Sequence, residues 1–129
     1  MNALRYSVVL GVALLLPMTT FAASMALAPA SISPKVEQTF TVTITADPAG
    51  VKGYTTRANV SFDPAQVNLV SFSFASKWIP LSQAGYDSED NAKGILNKTA
   101  GYPGGVSAPT ALGTATFKVK AAGTSTIRV

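Results

Sequence analysis

Cysteine and histidine are both absent from the 129-residue chain, and charged residues make up only 12% of it. Without cysteine there is no disulfide framework, no thiolate metal site and no thiol nucleophile. Without histidine, neither a Ser-His-Asp nor a Cys-His catalytic set can be assembled. Sparse charge set against 47% hydrophobic residues is the reverse of a disordered composition. The net charge of +4 is modest, and its bases are scattered from Arg5 to Arg128. A nucleic-acid binder concentrates such charge on one face, so that partner class is excluded. Helical periodicity is missing beyond the first residues, and ten glycines and eight prolines supply turns instead. The length suits one domain.

Met1 to Ala22 reads as a secretory leader. Arg5 supplies its positive start, and Val8 to Leu16 is an unbroken apolar run ended by Pro17. That run falls short of the roughly 20 residues a bilayer crossing needs. Thr20-Phe21-Ala22 and Ala22-Ala23-Ser24 both offer the small residues a signal peptidase reads. The sequence therefore divides into a 1–22 signal peptide and a 23–129 domain. The expected destination is secreted, extracellular or cell-surface, with no membrane span once the leader is cut. Val129 falls inside an alternating run, so the expectation is a domain that lacks its last strand.

Thr39 to Thr45 alternates strictly, with Phe40, Val42 and Ile44 on one side and threonines on the other. Such period-two patterning in β-branched residues predicts a half-buried strand. Asp47-Pro48-Ala49-Gly50 predicts a turn. Tyr54, Thr56, Ala58, Val60 and Phe62 form the inner face of the next strand, and Thr55, Arg57, Asn59 and Ser61 its outer face. Asp63-Pro64 ends it, and Pro64 to Gln66 fits one helical turn. Val70, Phe72 and Phe74 mark a further strand, with Val67 and Leu69 packing nearby. Trp78 to Leu81 is a short apolar piece interrupted by Pro80. Ser88 to Asn91 reads as a polar loop, Ile95 to Thr99 as a strand, and Gly101-Tyr102-Pro103-Gly104-Gly105 as an irregular loop. Ala115, Phe117 and Val119 alternate with Thr116, Lys118 and Lys120, and Thr126 to Val129 begins another strand. Short strands at regular spacing predict an all-β antiparallel sandwich.

Several of these motifs, in this order, resemble the cohesin domain family. They are Ser31 to Phe40, leading into the first threonine-rich strand; Val51-Lys52-Gly53-Tyr54; Val60-Ser61-Phe62-Asp63-Pro64-Ala65-Gln66-Val67; Leu112 to Lys120; and Gly123-Thr124-Ser125-Thr126-Ile127. The resemblance covers Ser24 to Val129. It implies a nine-stranded jelly-roll sandwich without catalytic activity and without a cofactor. It also implies a dockerin-like partner, a small helical module of polysaccharide-degrading or cell-surface assemblies. Members bind that partner through one flat sheet containing their third, fifth, sixth and eighth strands. Carried over motif by motif, the partner-binding residues here are Thr55, Arg57, Asn59, Asn97, Thr116 and Lys118. Where members often carry Asn and Asp, this chain has Thr55 and Arg57, which exchanges an acid for a cation.

The same jelly roll serves carbohydrate-binding modules, so direct binding of a polysaccharide is the alternative function. Its candidate platform is Trp78, Tyr86 and Tyr102, which suit a sugar only if coplanar and exposed. Asp63 is read as a turn residue. Asp87, Glu89 and Asp90 put three carboxylates in four residues but lack the order and the glycine of a calcium loop, so no metal is expected and the segment reads as a solvated loop. A glycosidase would need two carboxyls about 5 Å apart across a cleft, and nothing in the sequence sets that geometry.

Overall fold

The computed structural model describes residues 22–129. Apart from Ala22, the expected leader lies outside the described residues. Eight strands follow in order: β1 (Ser24–Ala28), β2 (Thr39–Asp47), β3 (Gly53–Ser61), β4 (Val67–Phe74), β5 (Ile79–Pro80), β6 (Ser88–Asp90), β7 (Ile95–Val106) and β8 (Thr110–Val119). No helix occurs among the described residues. Two sheets form, one ordered β1-β2-β8-β4 and the other β3-β7-β5, with β6 also paired to β7. Every ladder is antiparallel. The fold is thus the antiparallel sandwich expected, with eight strands among the described residues where the resemblance implies nine. Thr126 to Val129 does not extend as a strand. It contributes one bridge, in which Ser61 and Arg128 exchange backbone hydrogen bonds of 2.8 and 2.9 Å.

The inner faces are set by alternation. Val42, Ile44 and Ala46 of β2, Ala58 and Val60 of β3, Leu96 and Ala100 of β7, and Leu112, Ala115 and Phe117 of β8 are all buried in one core. Phe40 stacks on Phe117 at 5.6 Å between ring centroids, and Phe62 meets the same ring edge-on at 5.2 Å. Phe62 belongs to the loop after β3, so these contacts join the two sheets.

Four local readings are corrected. Val70 was expected to point inward with Phe72, but it is 53% exposed. A register shift between Leu69 and Ser71 switches the phase of β4, so Val67 and Leu69 are buried before it and Phe72 and Phe74 pack on the core after it. Tyr54 is displaced from the inner face by a similar irregularity between Gly53 and Thr55, and is also exposed. Ser88 to Asp90 forms strand β6 instead of a loop, because its backbone pairs with Ile95 to Asn97. Gly101 to Gly105 continues β7 instead of breaking it.

The β6–β7 turn is tied down twice. Asp90 Oδ1 accepts the backbone N–H groups of Ala92 and Lys93, both at 2.9 Å. Gly94 has φ +70°, and a Cβ there would stand 2.0 Å from the Phe62 carbonyl oxygen, so only glycine fits. Between these residues, Asn91 acts as a substitute strand partner. Its Oδ1 accepts the Leu69 N–H at 2.7 Å and its Nδ2 donates to the Leu69 carbonyl at 3.0 Å. Those are backbone groups at the β4 irregularity, where the ladder to β8 is interrupted. Asn91→Ala takes the partner from the Leu69 N–H and leaves the carbonyl only the long 3.5 Å contact from Asn68 Nδ2, and is expected to destabilise the fold by about 1–3 kcal/mol. Urea denaturation with an unchanged m-value checks it.

Candidate protein-binding sheet face

The outer face of the second sheet is built from β3, β7 and β5. Thr55, Arg57 and Asn59 alternate with the buried Ala58 and Val60, so strand parity alone turns them outward. Across the ladder Thr55 faces Gly101, Arg57 faces Thr99 and Asn59 faces Asn97. On the other side of β7, Ile79 faces Gly101 and Ser88 faces Asn97. Three rows result: Thr55–Gly101–Ile79, Arg57–Thr99, and Asn59–Asn97–Ser88. Arg57 Nε donates to Asn59 Oδ1 at 3.1 Å, and Asn97 Nδ2 donates to Ser88 Oγ at 3.1 Å. The first bond ties Arg57 along its own strand to the neighbouring row, the second ties Asn97 to its row partner, and the guanidinium keeps further donors free.

Sequence reasoning missed two members of this face. Ile79 is an apolar side chain 58% exposed on an otherwise polar surface, with glycine opposite it. The alternation of Trp78 (in) and Ile79 (out) carried that signal. Thr99 lies on the outward parity yet is 3% exposed, and its Oγ1 is buried without a hydrogen-bond partner. It makes the floor of the Arg57 row. Beside the face, β3 has an edge that no other strand covers among the described residues, apart from the Ser61–Arg128 bridge. A groove of about 570 Å³ runs along it, lined by Met25, Ala46, Thr56, Arg57 and Val106.

Thr116 and Lys118 do not join this face. Their strand, β8, lies between β2 and β4 in the other sheet, where Thr116 opposes Thr41 and Ser71, and Lys118 opposes Thr39 and Asn68. Alternation reports which side of a strand faces inward. It does not report which sheet the strand enters, because that is settled by backbone pairing between distant segments. Lys118 Nζ is instead 2.8 Å from Glu37, an exposed pair worth about 0–1 kcal/mol. Of the six candidate residues, the structure brings Thr55, Arg57, Asn59 and Asn97 together and places the other two across the sandwich.

The sugar platform does not assemble. Trp78 is 6% exposed, its Nε1 donates to the Ala111 carbonyl at 2.8 Å, and its ring meets Tyr102 edge-on at an interplanar angle of 75°. A buried ring and a perpendicular neighbour give a sugar no flat stack. Tyr86 is exposed but takes no part in that pair. Asp63 Oδ1 accepts the Ala65 N–H at 2.9 Å, which is the turn role read for it.

The acidic segment is more than a solvated loop. Lys98 Nζ lies 2.6 Å from Asp87 Oδ1 and 2.8 Å from Glu89 Oε1, with the Lys98 side chain nearly closed to solvent. Burial works against the ammonium, but the two carboxylates outweigh it and raise the Lys98 pKa above the ordinary lysine range. No group of three or more acidic side chains among the described residues is arranged to hold a metal ion.

Comparison with known proteins bears on this geometry. No curated protein matches the sequence. Among solved structures, the chain is similar to the second type II cohesin module from the adaptor ScaA scaffoldin of Acetivibrio cellulolyticus, with TM-score 0.58 and 15% identity over 82% of this chain and 68% of that one. A type II Cohesin-X-Dockerin complex from the same organism is similar at TM-score 0.56 and 15% identity, over 82% of this chain and 75% of that chain. The third cohesin of ScaC from that organism, solved in complex with the ScaB dockerin, is similar at TM-score 0.51 and 21% identity, over 67% of this chain and 63% of that one. At these identities the likeness concerns the fold alone. The family model of the cohesin domain matches residues 25–129. The chain belongs to the cohesin domain family.

Proposed function

We propose that this protein is a non-catalytic receptor module whose β3–β7–β5 face binds a dockerin-like helical module. The observation that carries this reading is the outward row of Thr55, Arg57 and Asn59 beside Asn97, with exposed Ile79 at its border. Protein interfaces favour such a surface, in which an apolar anchor and an arginine are ringed by small polar groups. The solved complexes of two structural neighbours with dockerins support the partner class. Export by way of the 1–22 leader and a place in polysaccharide-degrading or cell-surface assemblies complete the proposal. A receptor of this kind needs no acid–base pair, and the buried Trp78 gives no support to the polysaccharide-binding alternative.

Isothermal titration against a panel of calcium-loaded dockerin modules tests the reading. Saturable one-to-one binding to at least one of them is expected. Silence across the panel, together with retardation in a cellulose or xylan affinity gel, overturns it in favour of a sugar ligand.

A further inference from the structure

Lys98 occupies a core position. Its cross-strand partner is Ala58, and Leu96 and Ala100 flank it on the same face of β7, all three fully buried. A cation there is tolerated only if paired. Its side chain leads past the Phe72 ring, with Nζ 5.6 Å from the ring centroid, to Asp87 Oδ1 and Glu89 Oε1. Asp87 Oδ1 is shut off from solvent, and the Lys98 ammonium lies against it. At 2.6 Å from the oxygen, Nζ is at most one C–O bond length farther from Cγ. That borders the range of about 3–3.5 Å at which bound groups react as though highly concentrated. An amine, the carboxyl it would attack and a second carboxyl are thus gathered at the wall of the core.

We propose that Lys98 and Asp87 condense into an intramolecular isopeptide bond, with Glu89 as the proton carrier. Glu89 takes one proton from the Lys98 ammonium, freeing the nitrogen lone pair. That pair forms the Nζ–Cγ bond. Glu89 then gives its proton to the Asp87 oxygen, a second proton leaves the nitrogen for the same oxygen, and the C–O bond breaks with its electron pair on oxygen. The products are a secondary amide carrying the third proton and one molecule of water. Charge balances, because one ammonium and one carboxylate become neutral, and no oxidant or outside reactant is consumed. Replacing a partly buried ion pair by a neutral amide also removes the cost of keeping both charges from water. The bond ties the start of β6 to β7 next to Ser88 and Asn97, and so stiffens one row of the sheet face.

Trypsin digestion and mass spectrometry of the folded, purified full chain test this. Cleavage after Lys77, Lys93 and Lys118 is expected to yield peptide 78–93 joined to peptide 94–118, lighter than their sum by one water and uncut after Lys98. Asp87→Ala is expected to release the two peptides. Glu89→Gln, checked for folding by circular dichroism, is expected to slow linkage by roughly 10²–10⁴-fold, the usual contribution of a positioned acid–base group. Folded wild-type protein that gives separate peptides and cleavage after Lys98 overturns the proposal. A linkage that survives Asp87→Ala overturns the assigned carboxyl, and unchanged linkage in Glu89→Gln overturns the assigned carrier.

Discussion

Phe117→Ala is expected to lower the unfolding free energy by about 3–5 kcal/mol, the range for truncating a fully buried aromatic ring. Phe117 has no exposed surface, and its ring is held between Phe40, stacked in its own sheet, and Phe62, edge-on from the end of β3. Neither neighbour can follow the lost ring into the space. Phe40 is fixed to β8 by the backbone ladder, and Phe62 N–H is bonded to the Gly94 carbonyl at 2.9 Å. A cavity therefore remains, and its penalty adds to the lost transfer energy. A domain of this kind has about 5–15 kcal/mol in total, so the variant approaches the point of unfolding at ambient temperature. Val70→Ala is the control. Val70 is equally apolar and also on a strand, but it points to solvent at the β4 irregularity, so its truncation is expected to stay within about 0.5 kcal/mol. Denaturant midpoints of the two variants check the pair. A small effect at Phe117 would mean that the two sheets do not close on this ring.

How much of this was legible in the sequence depends on which physical interaction set each feature. Residue parity was readable wherever a strand ran unbroken. Phe40, Val42 and Ile44 of β2, and Ala115, Phe117 and Val119 of β8, alternate in the chain and pack inward in the fold. Parity failed where an extra residue entered a ladder, because the inner and outer sets then exchange midway along β4. Val70 and Phe72 are two apart, yet they face opposite ways. Strand β6 was hidden for a different reason. Ser88, Glu89 and Asp90 have poor strand preferences, and their backbone is ordered by β7 and by the Lys98 ion pairs. Gly101 to Gly105 was similarly masked, since its glycines and proline argue for a loop, and only pairing at its two ends, Gly101 with Thr55 and Ile79 and Val106 with Gly53, carries the strand through it. For the candidate site, the same distinction separates Arg57 from Lys118. Both side chains point outward as their parity requires. Only the pairing of β8 with β2 and β4 places Lys118 on the far side of the sandwich.

That separation supplies the sharper functional test. Arg57→Ala is expected to weaken binding of whichever dockerin-like module the wild-type chain recognises by about 2 kcal/mol, or roughly 30-fold in Kd. Arg57 is the one cation of the Thr55–Arg57–Asn59 row. Its guanidinium is held by Asn59 Oδ1 at 3.1 Å, so part of its side-chain freedom is already spent before binding. An acidic or amide-rich helix surface would meet it with charge-assisted hydrogen bonds. Lys118→Ala removes the same unit of charge from the other sheet, and is expected to leave Kd within about twofold, since net charge alone acts weakly once salt screens it beyond about 8–10 Å. Both side chains are surface groups, so thermal unfolding of each variant should stay near that of the wild type. Equal losses from the two substitutions would show that binding reads overall charge. A loss confined to Lys118→Ala would move the interface to the β1-β2-β8-β4 sheet, where the threonines of β2 and β8 would then form the contact face.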